Sequence, residues 1–278
     1  MKETRAEHLA VEKLRPFDGH PFKVVDNEEM DQLVWSILTQ GLLTPLVVRP
    51  LPNGEYEVIS GHRRLHACKK AGIETVPALI YAIDRDAAAI ALVDSNLQRE
   101  HILPSEKAFA YKLKLEAMNH QGRTSGQVGQ KWSRDEIAEG ESGRQVQRYI
   151  RLTNLIPGIL QKVDEGRIAL TPAVELSYLT DAEQEDLLET MESEDCTPSL
   201  SQAIQMKALS QSGQLDMDTI FHIMTQPKAN QQEKISFKVS ELRDFFPRHY
   251  TAAQMMQEIK MALKERQQRL AHQRDHSR

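Results

Sequence analysis

The chain has 278 residues, of which 40% are hydrophobic, 27% charged and 5% aromatic, and its formal net charge is −5. This length allows two domains that each bury a core, and the composition is typical of a soluble, helix-rich protein rather than a fibrous one. No apolar run is long enough to span a membrane and no export signal is recognisable. The two cysteines, Cys68 and Cys196, are too few and too far apart to predict a disulfide framework or a zinc site. We therefore expect a cytoplasmic protein with reduced thiols and no membrane partner.

The first hundred residues predict helices and strands in the order α-β-β-α-β-α. Apolar residues recur at helical spacing between Asp26 and Gly41. Two strands near 46–48 and 56–59 are joined through Asn53-Gly54, a dipeptide typical of tight hairpins. Three elements complete the series: a helix over 63–71, a strand over 76–83 and a helix over 86–99. We interpret residues 1–103 as one α+β domain.

Beyond residue 103 the strand patterns nearly vanish. The sequence predicts a helix over 105–119, a Gly-rich polar connector over 121–131, and short helices to about residue 209. We interpret this region as an all-α domain, followed by a linker and a C-terminal helical segment. The predicted boundaries are 104–224 for the all-α domain, 225–234 for the linker and 235–278 for the C-terminal segment.

The C-terminal segment is a candidate for dimerisation. Apolar residues at 3-4 spacing suggest a helical seam that Arg266 interrupts; they are Met256, Ile259, Leu263 and Leu270. Two heptads are too few to establish a coiled coil. A packed helical subdomain is equally compatible with this pattern.

A first group of chemically informative residues runs from Ser60 to Arg64, where a predicted strand ends and a helix begins. Gly61 lets the backbone approach a ligand closely, and a helix N-terminus presents free N–H groups. Arg63 and Arg64 add donors that suit phosphates. A tight turn followed by two solvated arginines is the structural alternative.

A second group lies at the end of the helix predicted over 86–99. Asn96 and acidic neighbours offer the oxygen atoms that Mg²⁺ prefers, and Arg99, one turn later, could meet a phosphate. Alone, this stretch is equally typical of an ordinary polar helix end.

A third group indicates a helix-turn-helix. A short helix near 132–139, a Gly-containing turn and a second helix near 143–152 follow one another, and the second helix of such a motif enters the DNA major groove. Arg and Gln side chains match base edges and phosphates. The alternative is a surface helix with a solvated basic face. The predicted DNA contacts are Ser142, Arg144, Gln145, Gln147, Arg148 and Arg151. Such a local basic surface is compatible with a negative net charge.

These three groups, in this order, resemble the ParB family of chromosome and plasmid partition proteins over roughly residues 11–179. The run from Gly41 to Leu46 is similar to the family's first box. The Gly61-His62-Arg63-Arg64 run is similar to the Gly-Glu-Arg-Arg box, and the run from Asn96 to Glu100 is similar to the Glu-Asn-Leu-Gln-Arg-Glu box. The resemblance implies a pocket for CTP and Mg²⁺, with Asn96 as the metal ligand, formed by Gly41, Leu42, Pro45, Gly61, His62, Arg63, Arg64, Asn96 and Arg99.

The resemblance also implies the rest of the architecture. The expected fold is an α+β domain of the ParB and sulfiredoxin type, followed by an all-α helix-turn-helix domain and a C-terminal helical segment. The expected partner is double-stranded DNA with a palindromic site, bound by a homodimer that CTP closes into a sliding clamp. An ATPase of the ParA type is a candidate partner. The protein would be associated with the nucleoid or a plasmid, and its pattern looks more like versions on plasmids and integrative elements.

Two residues depart from the family pattern. His62 replaces the Glu of the second box, and Ser95 replaces the acid that precedes the Asn and is linked to hydrolysis. Asp94 is one residue away, but one step along a helix turns a side chain by about 100°. We therefore expect CTP binding and leave open whether the chain is a weak CTPase.

Two other functions compete with the partition clamp. One is a helix-turn-helix transcriptional regulator that does not depend on a nucleotide. The other is an enzyme of the sulfiredoxin type, whose catalytic Cys lies in a Gly-Cys-His-Arg motif. His62 occupies the matching place here, so the oxidoreductase lacks its nucleophile.

Overall fold

The computed structural model describes residues 4–99, 101–124, 141–226, 239–247 and 249–275. The chain divides into two compact units, Met1–Gln226 and Pro227–Arg278. Within the described ranges no helix is long and apolar enough to cross a membrane. The first unit contains a sheet with helices and then a helical part.

A five-stranded mixed sheet organises the beginning of the first unit. Its strands are β1 (Thr4–Ala10), β2 (Leu14–Pro16), β3 (Leu46–Pro50), β4 (Tyr56–Ser60) and β5 (Thr75–Tyr81). Their order is β1-β5-β3-β4-β2; β3 and β4 form the predicted antiparallel hairpin, and β3 pairs parallel with β5. The sequence did not predict β1 and β2. β1 is an edge strand whose described side chains are mostly exposed or half-exposed, and β2 has only three residues and ends on a proline.

Three helices pack with this sheet: α1 (Glu28–Gln40), α2 (His62–Lys70) and α3 (Arg85–Leu97). α1 begins where the Asn27 side chain accepts a hydrogen bond from the amide of Met30, and it ends at Gly41, whose φ is 74°. One core lies between the sheet and α1 and α2, and a second joins the sheet to α3 and the following helix. The predicted α+β class is confirmed.

The helical part of the first unit follows. Its helices are α4 (Pro104–Thr124), α5 (Gly143–Arg151), α6 (Pro157–Asp164), α7 (Leu170–Leu176), α8 (Asp181–Ser193), α9 (Leu200–Gln211) and α10 (Met217–Thr225). Leu152, Ile159 and Leu187 are among the fully buried residues of its core. The described residues of this part form no strand, as the sequence predicts.

Asp164, at the end of α6, connects the helical part to the sheet part. Its carboxylate accepts hydrogen bonds from the Ser105 amide (2.9 Å) and the Ser105 hydroxyl (2.6 Å). Lys23 lies 3.3 Å from the same carboxylate, and its backbone amide donates to Glu106 at 2.8 Å. The first turn of α4 is therefore held by groups from both parts.

The second unit contains α11 (Val239–Leu242) and the long α12 (Ala252–Asp275). Met256 and Leu263, two residues of the predicted seam, are exposed on α12. Most of the predicted linker lies outside the described residues. The domain boundaries and the dimerisation role of this segment stay predictions.

Candidate nucleotide pocket and DNA-contacting helix

A cavity of about 560 Å³ lies where β4 ends and α2 begins. Residues from α1, from the β4–α2 turn and from the end of α3 form its wall. They are Glu29, Gln32, Leu33, Ser60, Gly61, His62, Arg63, Arg64, Ser95, Asn96 and Arg99. The fold thus brings the first and second sequence groups, more than 30 residues apart, to one place.

Gly61 makes the tight passage from β4 into α2 possible. Its φ is 104°, a conformation that side chains with a Cβ rarely adopt. A Cβ atom would lie 2.6 Å from Leu46 Cδ2 and 3.1 Å from Arg64 Nη2. Only glycine fits this turn without a shift of its neighbours.

Arg64 ties the first box to the second. Its Nη1 donates hydrogen bonds to the carbonyl oxygens of Thr44 (2.6 Å) and Pro45 (2.9 Å). Burial lowers the pKa of the Arg64 guanidinium from its usual value. Arginine side chains nevertheless stay charged in proteins. Arg64 therefore brings a positive charge to the cavity and fixes the segment that precedes β3.

The other two arginines of the wall converge on the cavity from different elements. Arg63, on α2, forms an ion pair with Glu29 at 2.9 Å. Arg99 packs over the ring of Phe22 at 5.5 Å, and its pKa is lowered by burial and by the nearby charge of Arg63. Like charges held close together favour an anionic ligand between them.

His62 is a neutral part of the wall. Its Nε2 accepts a hydrogen bond from the backbone amide of Phe17 at 3.2 Å, and its ring packs on His20 with centroids 3.7 Å apart. Burial, and then the proximity of His20 and Arg99, lowers the pKa of His62 to about 3. His62 therefore adds no positive charge for a phosphate at neutral pH.

Asn96 is held so that its side-chain oxygen remains available. Its amide nitrogen donates to the Leu92 carbonyl oxygen at 2.7 Å, and the described residues supply no donor to the oxygen. This amide oxygen suits a hard cation such as Mg²⁺. The described residues contain no group of three or more His, Cys, Asp or Glu that could hold a metal ion.

Asp94 is turned away from the cavity. It forms an ion pair of 2.5 Å with Lys114 of α4 and is absent from the cavity wall. Ser95, which does line the wall, donates its hydroxyl to the Leu92 carbonyl oxygen at 2.9 Å. As the turn of about 100° per helical residue predicts, Ser95 lines the cavity wall while its neighbour Asp94 does not.

Six of the nine predicted nucleotide-binding residues line the cavity: Gly61, His62, Arg63, Arg64, Asn96 and Arg99. Gly41, Leu42 and Pro45 do not, and Pro45 is connected to it through its carbonyl bond to Arg64. Sequence reasoning missed Glu29, Gln32 and Leu33 of α1. The periodicity of α1 identified its buried face but carried no signal about what its other faces border.

α5 is the second helix of the predicted helix-turn-helix. The Ser142 side chain caps it by accepting from the Gln145 amide at 3.3 Å, and Val146 is fully buried. Arg144 is exposed and Gln147 is half-buried. The first helix of the motif, near 132–139, lies outside the described residues.

Arg148 and Arg151 of α5 have intramolecular partners. Arg148 donates to Gln145 Oε1 (3.1 Å) and to Thr171 Oγ1 (2.6 Å) on α7. Arg151 donates to the Ser177 carbonyl oxygen at 2.6 Å and lies 3.9 Å from the centroid of Tyr178. These bonds hold both guanidinium groups in place, and the predicted DNA contacts of α5 stay predictions.

Known proteins resemble this chain over most of its length. The family model "ParB N-terminal domain" matches residues 1–97. The probable chromosome-partitioning protein ParB of Vibrio cholerae is 30% identical over 238 residues, which cover 84% of this chain and 77% of that protein. Stage 0 sporulation protein J of Bacillus subtilis is 32% identical over 170 residues, 61% of this chain and 56% of that protein. The chain thus matches little more than half of the length of this second relative.

One similar solved structure is that of the C-terminally truncated chromosome-partitioning protein ParB of Caulobacter crescentus, complexed to the centromeric parS site. Its TM-score is 0.42, and its sequence is 23% identical. That similarity covers 74% of this chain and all but 1% of the other. The Vibrio cholerae match extends well past the N-terminal domain and covers more than three quarters of that relative. The chain therefore belongs to the ParB family of chromosome-partitioning proteins.

Proposed function

We propose that this chain is a DNA-binding partition protein whose hold on DNA is gated by CTP. The main support for nucleotide binding is one observation. Arg63, Arg64 and Arg99 converge on one cavity, beside a glycine turn at a helix N-terminus. A triphosphate would neutralise the like charges that these residues hold together. The names of the curated relatives support a role in chromosome partitioning.

In the proposed complex, Asn96 holds Mg²⁺ through its side-chain oxygen. The orientation of its amide, fixed by the bond to Leu92, supports this role. The metal would supply positive charge that stabilises the bound phosphates. Arg99, held over Phe22 in the same cavity wall, would bind a phosphate.

In the same pocket, Ser95 stands at the position of the acid that the family links to hydrolysis. An attacking water must be oriented or deprotonated, and Ser95 has no carboxylate for this task. Asp94 is bound to Lys114 instead. CTP would therefore act mainly as an effector whose binding closes the clamp, with slow turnover or none.

α5 is the proposed DNA-reading element. Arg144 is exposed, Gln147 is half-buried, and the Gln145 side chain accepts a hydrogen bond from Arg148, so base edges in a major groove would meet partly pre-ordered donors. A homodimer would read a palindromic site with two copies of this helix. The proposed location is the cytoplasm, on the nucleoid or a plasmid, with an ATPase of the ParA type as a partner.

Calorimetry with a slowly hydrolysed CTP analogue and Mg²⁺, with and without selected site DNA, tests the proposal. The wild-type protein should bind the analogue in preference to the ATP counterpart. Arg99→Ala should weaken binding at least tenfold, because a charge-assisted phosphate bond contributes about 1.5–3 kcal/mol. Arg15→Ala is the matched control, since Arg15 is exposed in the same part and pairs with Glu55 outside the cavity.

A protein that binds its DNA site but no CTP, even with that DNA present, would overturn the clamp. The nucleotide-independent transcriptional regulator would then be the better function. A protein for which no DNA site can be selected would overturn both.

A further inference from the structure

Glu29 is the one carboxylate among the described residues that line the cavity. It lies in the first turn of α1, and its Oε2 pairs with Arg63 Nη2 at 2.9 Å. The rest of the charged wall consists of Arg63, Arg64 and Arg99. The negative charge of Glu29 opposes the binding of an anion, although the other charged groups of the wall favour it.

A contribution to the stability of the fold does not explain the presence of Glu29. The side chains of Glu29 and Arg63 are 69% and 43% exposed, and exposed ion pairs typically contribute only about 0–1 kcal/mol. The favourable effect of acids at the N-terminus of α1 is also available from Glu28 and Asp31. The fold does not depend on a carboxylate at position 29.

We propose that Glu29 competes with the phosphates of the nucleotide for Arg63 and so sets the affinity of the pocket. This inference rests on the proposed function of the cavity. Arg63 uses a guanidinium nitrogen on Glu29, whereas bidentate capture of a phosphate needs two parallel N–H groups of the same guanidinium. A bound nucleotide must therefore displace the carboxylate or share the cation with it.

Charge repulsion adds to this competition. A triphosphate carries several negative charges into the cavity that Glu29 borders, and like charges in a partly desolvated site disfavour each other. Mg²⁺ neutralises part of the triphosphate charge. The penalty that Glu29 imposes is therefore largest for the metal-free nucleotide, and Glu29 favours the Mg²⁺ complex over the free nucleotide.

Calorimetry of the slowly hydrolysed CTP analogue with wild type, Glu29→Gln and Glu28→Gln tests this inference. Glu28 is the neighbouring exposed acid on the same helix and lies outside the cavity wall, so its variant changes the net charge equally. Glu29→Gln should bind the analogue about 2–5-fold tighter, the affinity change that corresponds to an exposed ion pair. Glu28→Gln should match the wild type.

Two further measurements identify the mechanism. In an Arg63→Ala background, Glu29→Gln should lose most of its effect, because the competition requires that guanidinium. The gain from Glu29→Gln should increase when Mg²⁺ is omitted and shrink as salt is raised.

The outcomes separate this inference from the proposed function. If the wild type binds the analogue and Glu29→Gln binds equally or more weakly, the competition is refuted while the nucleotide pocket stands; weaker binding would make Glu29 a ligand instead. Equal gains from Glu29→Gln and Glu28→Gln would reduce the effect to net charge and refute it too. If no variant and no wild type binds, both proposals fail.

Discussion

Replacement of Gly61 by alanine tests the close approach of the β4–α2 turn to the β3 strand. The substitution adds one methyl group at a position with φ of 104°. The added Cβ would lie 2.6 Å from Leu46 Cδ2, a distance that real Cβ contacts essentially never show. Leu46 is fully buried, so it has little room to move away.

Two effects determine the magnitude. A non-glycine residue in left-handed backbone costs about 1–2 kcal/mol. Overpacking a well-filled core by one methyl group costs about 1–3 kcal/mol. Together they predict a loss of about 2–5 kcal/mol in the free energy of unfolding, a large part of the roughly 5–15 kcal/mol that keeps a domain folded.

Urea unfolding of wild type, Gly61→Ala and Gly72→Ala measures this loss. Gly72 follows α2 with φ of 68°, and a Cβ there would meet nothing within 4 Å, so its variant isolates the backbone effect. Gly61→Ala should lower the unfolding midpoint further than Gly72→Ala, and Leu46→Val should offset part of the difference by making room. Equal losses for the two alanine variants would refute the close contact with Leu46.

Three further predictions concern the pocket and α5. Because burial lowers the pKa of His62 from 6.5 to about 3, the folded chain binds fewer protons than the unfolded chain in this window, so stability is full above about pH 6.5 and is lost as pH falls towards 3. Urea titrations at several pH values should show a shallower loss for His62→Gln, by up to about 1.4 kcal/mol per pH unit. Gln145→Ala and Arg148→Ala should each cost about 1–3 kcal/mol at one base position in a binding assay, and because the two side chains share a hydrogen bond, the double variant should lose clearly less than the sum. Ser95→Glu should raise the rate of phosphate release from CTP above that of the wild type without abolishing binding.

The local fold of the first unit was largely predictable because its signals are local. Asn27 and Gly41 bound α1, which lies within the stretch from Asp26 to Gly41 that the sequence predicts to be helical, since a cap and a positive-φ stop act within one turn. The Asn53-Gly54 turn joins β3 and β4 for the same reason. β1 escaped prediction because it pairs with β5, whose partner residues lie more than 60 positions away.

The motifs of the candidate site could be predicted from the sequence, but the pairing and protonation of its charged side chains could not. The resemblance supplied Gly61 and Asn96, but nothing in the sequence indicated that Glu29 would meet Arg63 or that His20 would stack on His62. Each of these pairs joins elements more than 30 residues apart. The neutral state of His62 follows from burial, which a motif does not encode.

The same limit applies to α5. Its amphipathic pattern marks the face that carries Val146, which is fully buried. It could not show that Arg151 would turn back to Ser177 and Tyr178. The sequence pattern of a helix indicates the direction of each side chain relative to the helix axis. The partners of Arg148 and Arg151, however, belong to α7 and to the turn that follows α7.

One set of contacts between the pocket and the helical part runs through Phe22 and Lys23. Arg99, a wall residue, packs over Phe22, and the next residue, Lys23, bonds to Glu106 and pairs with Asp164. A nucleotide that pulls Arg99 towards a phosphate would change its packing on Phe22, one residue from the groups that hold the first turn of α4. Because α4 is also the helix on which α5 packs, a change at its first turn can reach the proposed DNA-reading element. The segment between β2 and α1 would then be a physical route for the proposed CTP gating.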